Sequence, residues 1–336
     1  MTLVPHISTG TIWKLGKKLS EATNTKIHVM GSLPAITKLA NNKLQFGKFA
    51  RSLFGENAVP KEVIAFNATS LVSNIMSFMK RYAQLVVKLP DSAGSAGNLP
   101  IDCKEILGRS PLSIHRYLAR QLEALNIAPR YPMIVQVWEN SVLCSPSIQL
   151  WIPNDGEAVP IIEGIFEQHL SGPAGQFSGG ITFSKYDEIA ERMCREGAML
   201  GRVLQKLGYF GRCSFDAIVS GNCYEEADLH WIECNGRWGG MSIPLTLLNR
   251  LFPDHSEIQF MIGHWADLDL AARPMSESLG LIEDLLWQPG KTSGIIFLTP
   301  SIFETGRNMQ FLSIAETSDL AEENAQSALA RLKSAS

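Results

Sequence analysis

The residues able to do chemistry gather in two stretches, "GRCSFDAIV" from Gly211 and "LHWIECNGRWGG" from Leu229. Both read as strands, separated by the turn-rich "SGNCYEEAD". Alternate side chains of a strand point to one face. Arg212, Ser214 and Asp216 therefore share a face, and so do Glu233, Asn235 and Arg237. If the strands pair with those faces together, Asp216, Glu233 and Asn235 form an all-oxygen donor set. Carboxylate and amide oxygens suit Mg2+ or Mn2+, whose remaining positions go to water and phosphate. The same spacing also suits a solvated polar face of an antiparallel sheet. Cys234, between two of these residues, points to the opposite face, toward packing.

A second chemical feature lies upstream in "VVKLPDSAGSAGN". An apolar strand delivers Lys88 at its end, and a loop containing Ser92, Gly94, Ser95 and Gly97 follows. Small residues let backbone N–H groups approach phosphate oxygens, while the lysine acts on them as a point charge. The lysine precedes the glycines, so this is not a Walker A motif. An ordinary surface loop beside a strand-end lysine is the alternative reading.

The elements that must hold these residues alternate along the chain. "IWKLGKKLSEA", "ITKLANNKLQFGKFARSLFG", "SPLSIHRYLARQLEAL" and "YDEIAERMCREGAMLGRVLQKLG" have helical period. The second ends at Gly55 with Pro60 beyond, the third has a serine at its start, and the fourth is capped by Gly208. "KIHVMGS", "YAQLVVKLP", "PMIVQVW" and "SPSIQLWIP" read as strands, and the tail "DLAEENAQSALARLKSAS" as a helix at its start. Trp138, Trp151 and Trp231 fall on strands and are expected in the core. His115, His169, His230 and His255 share no spacing and are expected in structural or surface roles.

With 336 residues, 45% of them hydrophobic, the chain can bury a full core and suggests two or three subdomains. A formal net charge of −3 gives no reason to expect nucleic acid or an anionic membrane as partner. The six cysteines show no CxxC spacing, which fits reduced thiols in a cytoplasm. No apolar run reaches membrane-spanning length, and the N-terminus lacks the pattern of a signal peptide. A soluble cytoplasmic protein is expected.

The order of Lys88 with its loop, the strand–hinge–strand "IVQVWENSVLCSPSIQL", Asp216 on one strand and "ECN" on the next resembles the ATP-grasp superfamily. The likeness runs from about residue 35 to about residue 250. "ECNGRWGG" is particularly similar to the Glu-x-Asn-x-Arg-x-Gly-Gly ending of pheganomycin-type peptide ligases, and more loosely to the ending in D-alanine–D-alanine ligases. The resemblance implies an α+β ATP-grasp fold, two α/β subdomains gripping ATP, with a short or missing pre-ATP-grasp domain. Residues 1–40 would be the remnant of that domain. Residues 41–140 would form the N-terminal subdomains with the Lys88 lid, and 141–336 the C-terminal subdomain with the metal and substrate site.

Roles follow from the resemblance residue by residue. Lys43 and Lys88 would contact ATP phosphate, with Ser92, Gly94, Ser95 and Gly97 in the phosphate loop. Gln136 would meet the adenine amino group, and the backbone of Val137, Trp138 and Glu139 would supply the other hinge contacts. Asp216, Glu233 and Asn235 would be the Mg2+ ligands. Arg237 would hold the substrate carboxylate or its acyl phosphate. Many family members carry arginine two residues before the metal aspartate, where this chain has Ser214, so the oxyanion-binding role passes to Arg212. The ribose contact stays unassigned.

The implied activity is an ATP-dependent ligase joining an acid to an amine through an acyl phosphate. The alternatives are an ATP-grasp small-molecule kinase and a non-catalytic nucleotide-binding module. The stretch ahead of Lys43 is too short for a doubly wound sheet, since one βαβ unit needs about thirty residues. Its apolar residues Leu3, Val4, Ile7, Ile12, Trp13 and Leu15 imply an interface. A homodimer is expected, or a separate chain supplying the missing N-terminal domain.

Overall fold

The computed structural model of the chain describes residues 1–92, 97–171, 175–184, 186–253, 258–265, 275–299 and 309–334. The chain divides into two compact units. One comprises Met1–Glu163, Ser171–Gln176 and Tyr186–Trp238; the other comprises Gly164–Leu170, Phe177–Lys185 and Gly239–Ser336.

The first unit opens with β1 (Thr2–Leu3), α1 (Gly10–Thr23) and β2 (His28–Val29), the strands pairing in parallel. Of the apolar residues at this end, Leu3, Ile7, Ile12 and Trp13 are half-buried, and Val4 and Leu15 are exposed. The long helical period that follows is broken into α2 (Pro34–Ala40) and α3 (Lys43–Phe54). The break falls at Asn41 and Asn42, because Asn42 leaves helical geometry to cap α3, its Oδ1 accepting from Gln45 N at 3.1 Å. The break puts Lys43 on the first turn of α3, and Gly55 ends that helix at φ +93°.

Next come β3 (Glu62–Ala65), α4 (Ala68–Phe78), β4 (Gln84–Lys88), β5 (Asn98–Asp102), α5 (Cys103–Ile106), α6 (Pro111–Ala124) and β6 (Met133–Val137). The four strands form an antiparallel sheet in the order β3-β6-β4-β5. Ile75 of α4 with Ile114 and Leu118 of α6 pack on Leu85, Val87, Met133 and Val135, burying one face of that sheet. The other face carries Glu62, Lys88 and Gln136.

The unit's second sheet uses β7 (Val142–Cys144), β8 (Pro146–Ile152), β11 (Gly211–Ser220) and β12 (Asp228–Asn235), with α7 (Asp187–Lys206) packed on β8. β11 lies antiparallel between β12 and β8, and β7 pairs with one end of β11. Phe215 is the centre of its core, 5.4 Å from the ring of Phe46 and edge-on to Trp231 at 6.3 Å.

β9 (Ile161–Ser171) and β10 (Gln176–Thr182) precede α7 in the chain. The second unit is built on β10, β13 (Gln259–Trp265), β14 (Gly294–Phe297) and β15 (Met309–Ala315), in the order β10-β13-β15-β14. It also holds α8 (Ser242–Leu251), α9 (Met275–Gly280) and α10 (Ser318–Ser334). Ala321, Ala325, Ala328 and Leu332 of α10 pack with Met309 and Phe311 of β15, the small side chains letting helix and sheet approach closely. Among the described residues, no helix is long and apolar enough to cross a membrane. All six cysteines are free thiols.

Candidate active site

Asp216 and Glu233 face each other across the β11–β12 ladder, and Asn235 lies opposite Ser214 on the next residue pair of the same face. Regular alternation along β12 would not produce this. Trp231 is fully buried in the core, and strict alternation would send Glu233 into the core beside it. The register jumps instead: Asp216 pairs with Glu233 but Ala217 pairs with Trp231, so Ile232 is an extra, unpaired residue. A bulge of this kind reverses the parity of the strand. Leu229, Trp231 and Cys234 face the core, while Glu233 and Asn235 emerge on the Asp216 side.

The next strand contributes too. Ser147 of β8 sits opposite Asp216, and its hydroxyl donates to Asp216 Oδ1 at 2.6 Å. Asn235 Nδ2 donates to Asp216 Oδ2 at 2.8 Å and to Glu233 Oε1 at 3.4 Å. Burial and the neighbouring Glu233 push the Asp216 carboxyl up to about 7, against the opposing bonds from Ser147 and Asn235. Burial also works against charge on Glu233, but Lys43, Lys88 and Arg237 outweigh it and hold Glu233 below the usual range.

Both sequence-selected lysines reach this acid pair's neighbourhood. Lys43 Nζ lies 2.8 Å from Glu233 Oε2 and donates to Ser92 O at 2.5 Å. One backbone and one side-chain bond tie this turn to the loop: Lys43 N–H donates to Pro90 O at 3.0 Å, and Asn42 Nδ2 to Asp91 Oδ1 at 2.6 Å. Burial, reinforced by Lys43, lowers the Lys88 ammonium to about 8, while Glu233 and Glu62 oppose the shift. In the small-residue loop, Leu89 N–H donates to Gly97 O at 3.0 Å. A Cβ on Gly97 would fall 2.3 Å from Ser92 Cβ, so this turn requires glycine. Gly94 and Ser95 lie outside the described residues, as does His255.

The hinge residues are tied into the sheet. Gln136, next to the last residue of β6, is buried, accepting from Lys88 Nζ at 2.5 Å and donating to Glu62 Oε2 at 2.8 Å. The Val137 and Trp138 N–H groups donate to Lys61 O and Gln84 O, continuing the sheet. Glu139 Oε1 comes 3.7 Å from His230 Nδ1, a buried ring nitrogen with no hydrogen-bond partner among the described residues. Burial holds that ring below the usual histidine range.

The two arginines are held in different ways. Arg212 forks onto Glu163, Nε to Oε2 at 2.7 Å and Nη2 to Oε1, and Glu163 Oε2 also accepts from Gln149 Nε2 at 3.0 Å. The Trp238 ring covers the Arg212 guanidinium at 4.4 Å. Arg237 is not on the strand, because β12 ends at Asn235. The cause is Asn41, whose Oδ1 accepts from Gly236 N–H at 3.0 Å and whose Nδ2 donates to Gly236 O at 3.3 Å, taking both backbone groups out of the ladder. Asn41 Oδ1 also accepts from Arg237 Nη1 at 3.3 Å. Arg212, Arg237 and Trp238 line one cleft with His6, Ser8 and Met30 from the turns after β1 and β2.

Sequence reasoning passed over Asn41, Glu62, Ser147 and Glu163. Only the Asn41–Asn42 interruption of a helical period carried a signal. Among the described residues, no three His, Cys, Asp or Glu side chains gather as a metal site would. Two carboxylates and an amide on one face, with one carboxyl pushed up by burial and by the other, fit a hard cation that takes its remaining ligands from phosphate and water.

No protein-family model matches the chain, and no curated protein matches it in sequence. Solved structures do. A biotin carboxylase from Campylobacter jejuni superposes with a TM-score of 0.65 over 98% of this chain and 74% of that chain, at 12% identity. An N5-carboxyaminoimidazole synthase from Aspergillus clavatus gives 0.60 over 98% of this chain and 85% of that chain, also at 12% identity. The fold is ATP-grasp. The N5-carboxyaminoimidazole ribonucleotide synthetase from Thermus thermophilus shares it, with a TM-score of 0.60 at 11% identity, over 98% of this chain and 81% of that chain. At such identities the likeness is one of fold, and a fold carries many functions.

Proposed function

We propose that this protein is an ATP-dependent ligase that joins a carboxylic acid to an amine through an acyl phosphate, releasing ADP and phosphate. The observation that carries the reading is the meeting of Lys43, from the start of a helix, with Glu233, on a bulged strand opposite Asp216. Cations and hard-oxygen donors brought together this way suit a triphosphate and its counter-ion. The C. jejuni neighbour is a β-γ-ATP complex, the A. clavatus enzyme one with ADP and an aminoimidazole ribonucleotide. A Hydrogenobacter thermophilus biotin carboxylase domain of the same fold holds MgADP and bicarbonate.

Asp216, Glu233 and Asn235 would hold Mg2+ (or Mn2+), which supplies charge neutralisation on the phosphates. Lys43 and Lys88 bind and orient phosphate oxygens. Arg237, beside Asp216 and Glu233 in charge and bound through one nitrogen to Asn41, presents its fork to the acid's carboxylate. Arg212, fixed by Glu163, supplies positive charge to the tetrahedral oxyanion formed when the amine attacks. Phosphate then leaves and an amide remains. The Glu-x-Asn-x-Arg-x-Gly-Gly ending supports a peptide or peptide-like product.

Phosphate release, measured with pairs of acids and amines and combined with mass spectrometry of the product, tests this. Release that needs both an acid and an amine is expected. A phosphorylated alcohol formed without an amine would establish a kinase instead.

A further inference from the structure

Lys88 belongs to a chain of buried polar groups whose far end no part of the proposed chemistry uses. Its ammonium donates to Gln136 Oε1 at 2.5 Å. Gln136 Nε2 donates to Glu62 Oε2 at 2.8 Å, and Glu62 Oε1 accepts from Arg51 Nη1 at 2.8 Å. Lys88 and Gln136 are 8% and 5% exposed, and the Glu62 side chain 7%. The sheet register builds the chain: Gln136 of β6 lies opposite Glu62 of β3 on one side and Val86 of β4 on the other, with Lys88 two residues beyond Val86 on the same face.

A carboxamide between an ammonium and a carboxylate has one satisfied orientation, its oxygen to the cation and its NH2 to the anion. Glu62 therefore sets the polarity of the Gln136 amide, and the amide sets where the ammonium rests. Well-packed apolar residues would stabilise such a sheet interior at least as well as a buried charged chain. The arrangement makes sense as a means of holding one cation in place.

We infer that Glu62 is a positioning residue for the phosphate-binding lysine: acting through the Gln136 carboxamide, it fixes the Lys88 ammonium, and Gln136 serves the phosphate grip and not adenine recognition. This rests on the reading of Lys88 as a phosphate ligand. Both ends of the Gln136 side chain already have partners, and turning toward a base would strip Lys88 and Glu62 together.

The test is equilibrium binding of ATP and of inosine triphosphate, each with Mg2+, to the full-length chain. The variants are Glu62→Gln, Gln136→Met, Lys88→Met and Glu62→Gln combined with Lys88→Met, each checked for folding by thermal unfolding. A Lys88 ammonium no longer fixed through Gln136 should weaken both nucleotides about tenfold in the first two variants. The ratio of ATP to inosine triphosphate affinity should stay unchanged. In the Lys88→Met background, Glu62→Gln should add no further loss, because the two residues act as one unit. Glu62→Asp, which keeps the charge but shortens the reach, should show the same loss and covers the case in which Glu62→Gln does not fold.

If Gln136→Met abolishes the preference between the two bases, Gln136 is a base contact and the inference is overturned. If Lys88→Met weakens binding while Glu62→Gln and Glu62→Asp do not, the positioning role fails and the reading of Lys88 stands. If Lys88→Met leaves binding intact, the phosphate reading fails and the inference with it.

Discussion

Replacing Asp216 by asparagine should make the nucleotide-free protein more stable at alkaline pH while removing its response to Mg2+. Burial and Glu233 place the Asp216 carboxyl at about 7, against 3.8 in an unfolded chain. The sign follows from linkage: between those values the folded state keeps a proton that the unfolded state has released, so stability falls as pH rises and the loss is complete above about 7. From about pH 5.5 to pH 8 the wild type should lose about 2 kcal/mol, at 1.36 kcal/mol per unit up to the folded value. The asparagine variant has no carboxyl at position 216 to titrate, and its other titratable groups are shared with the wild type. It keeps the size of the side chain and an oxygen for Ser147, and the Asn235 amide can turn to meet its NH2. Any fixed change in hydrogen bonding cancels when the two pH values are compared. Thermal unfolding of both proteins at the two pH values is the assay. At about 2–4 °C per kcal/mol, the wild-type Tm should fall by about 4–8 °C relative to the variant across that range. Mg2+ with ADP should stabilise the wild type more at the higher pH, and that pH-dependent gain should be absent in the variant, since the cation relieves the repulsion that the mutation removes. A variant destabilised equally at both pH values would show that the carboxylate is a structural hydrogen-bond acceptor and refute the reasoning.

Arg237→Lys should raise the acid substrate's KM at least tenfold with nucleotide affinity unchanged, because an ammonium cannot reproduce a two-donor fork; steady-state kinetics with nucleotide titration separates the two. Gly236→Ala should cost about 1–3 kcal/mol by overpacking, read as a lower Tm. The added Cβ would sit 2.9 Å from Asn41 Nδ2, 3.1 Å from Tyr209 Cε2 and 3.2 Å from Ala40 Cβ. Glu163→Gln removes the carboxylate that the buried Arg212 guanidinium forks onto and should destabilise by about 1–3 kcal/mol, measured by denaturant unfolding. Glu163→Gln with Arg212→Met should recover part of that loss.

Much of the site was legible because it depends on local period. Asp216 shares a strand face with Ser214, and Glu233 with Asn235, since side chains alternate whatever the partner strand; that rule gave the shared faces, and the metal-ligand expectation needed the strand pairing and the family resemblance as well. Lys88 at a strand end was readable from its apolar run, whereas Lys43 was picked out by the family resemblance alone, since the sequence reads as one unbroken helix across Asn41 and Asn42. Tertiary structure alone decided how those faces meet. Trp231 and Glu233 have the same parity, and the sequence placed one in the core and the other in the site without a way to reconcile them. The extra residue Ile232 does so, and a bulge depends on how two strands register, which no run of residues displays. The end of β12 was decided by Asn41, far upstream, and the setting of Arg212 by Glu163, on a strand whose place beside β8 had no local signature. Gln136 shows the same limit. Its type and position suggested a hinge contact, but its partners Glu62 and Lys88 reach it only because β6 lies between β3 and β4. Strand alternation is a property of one segment; hydrogen-bond partners across a sheet are a property of strand order, which the packed core sets.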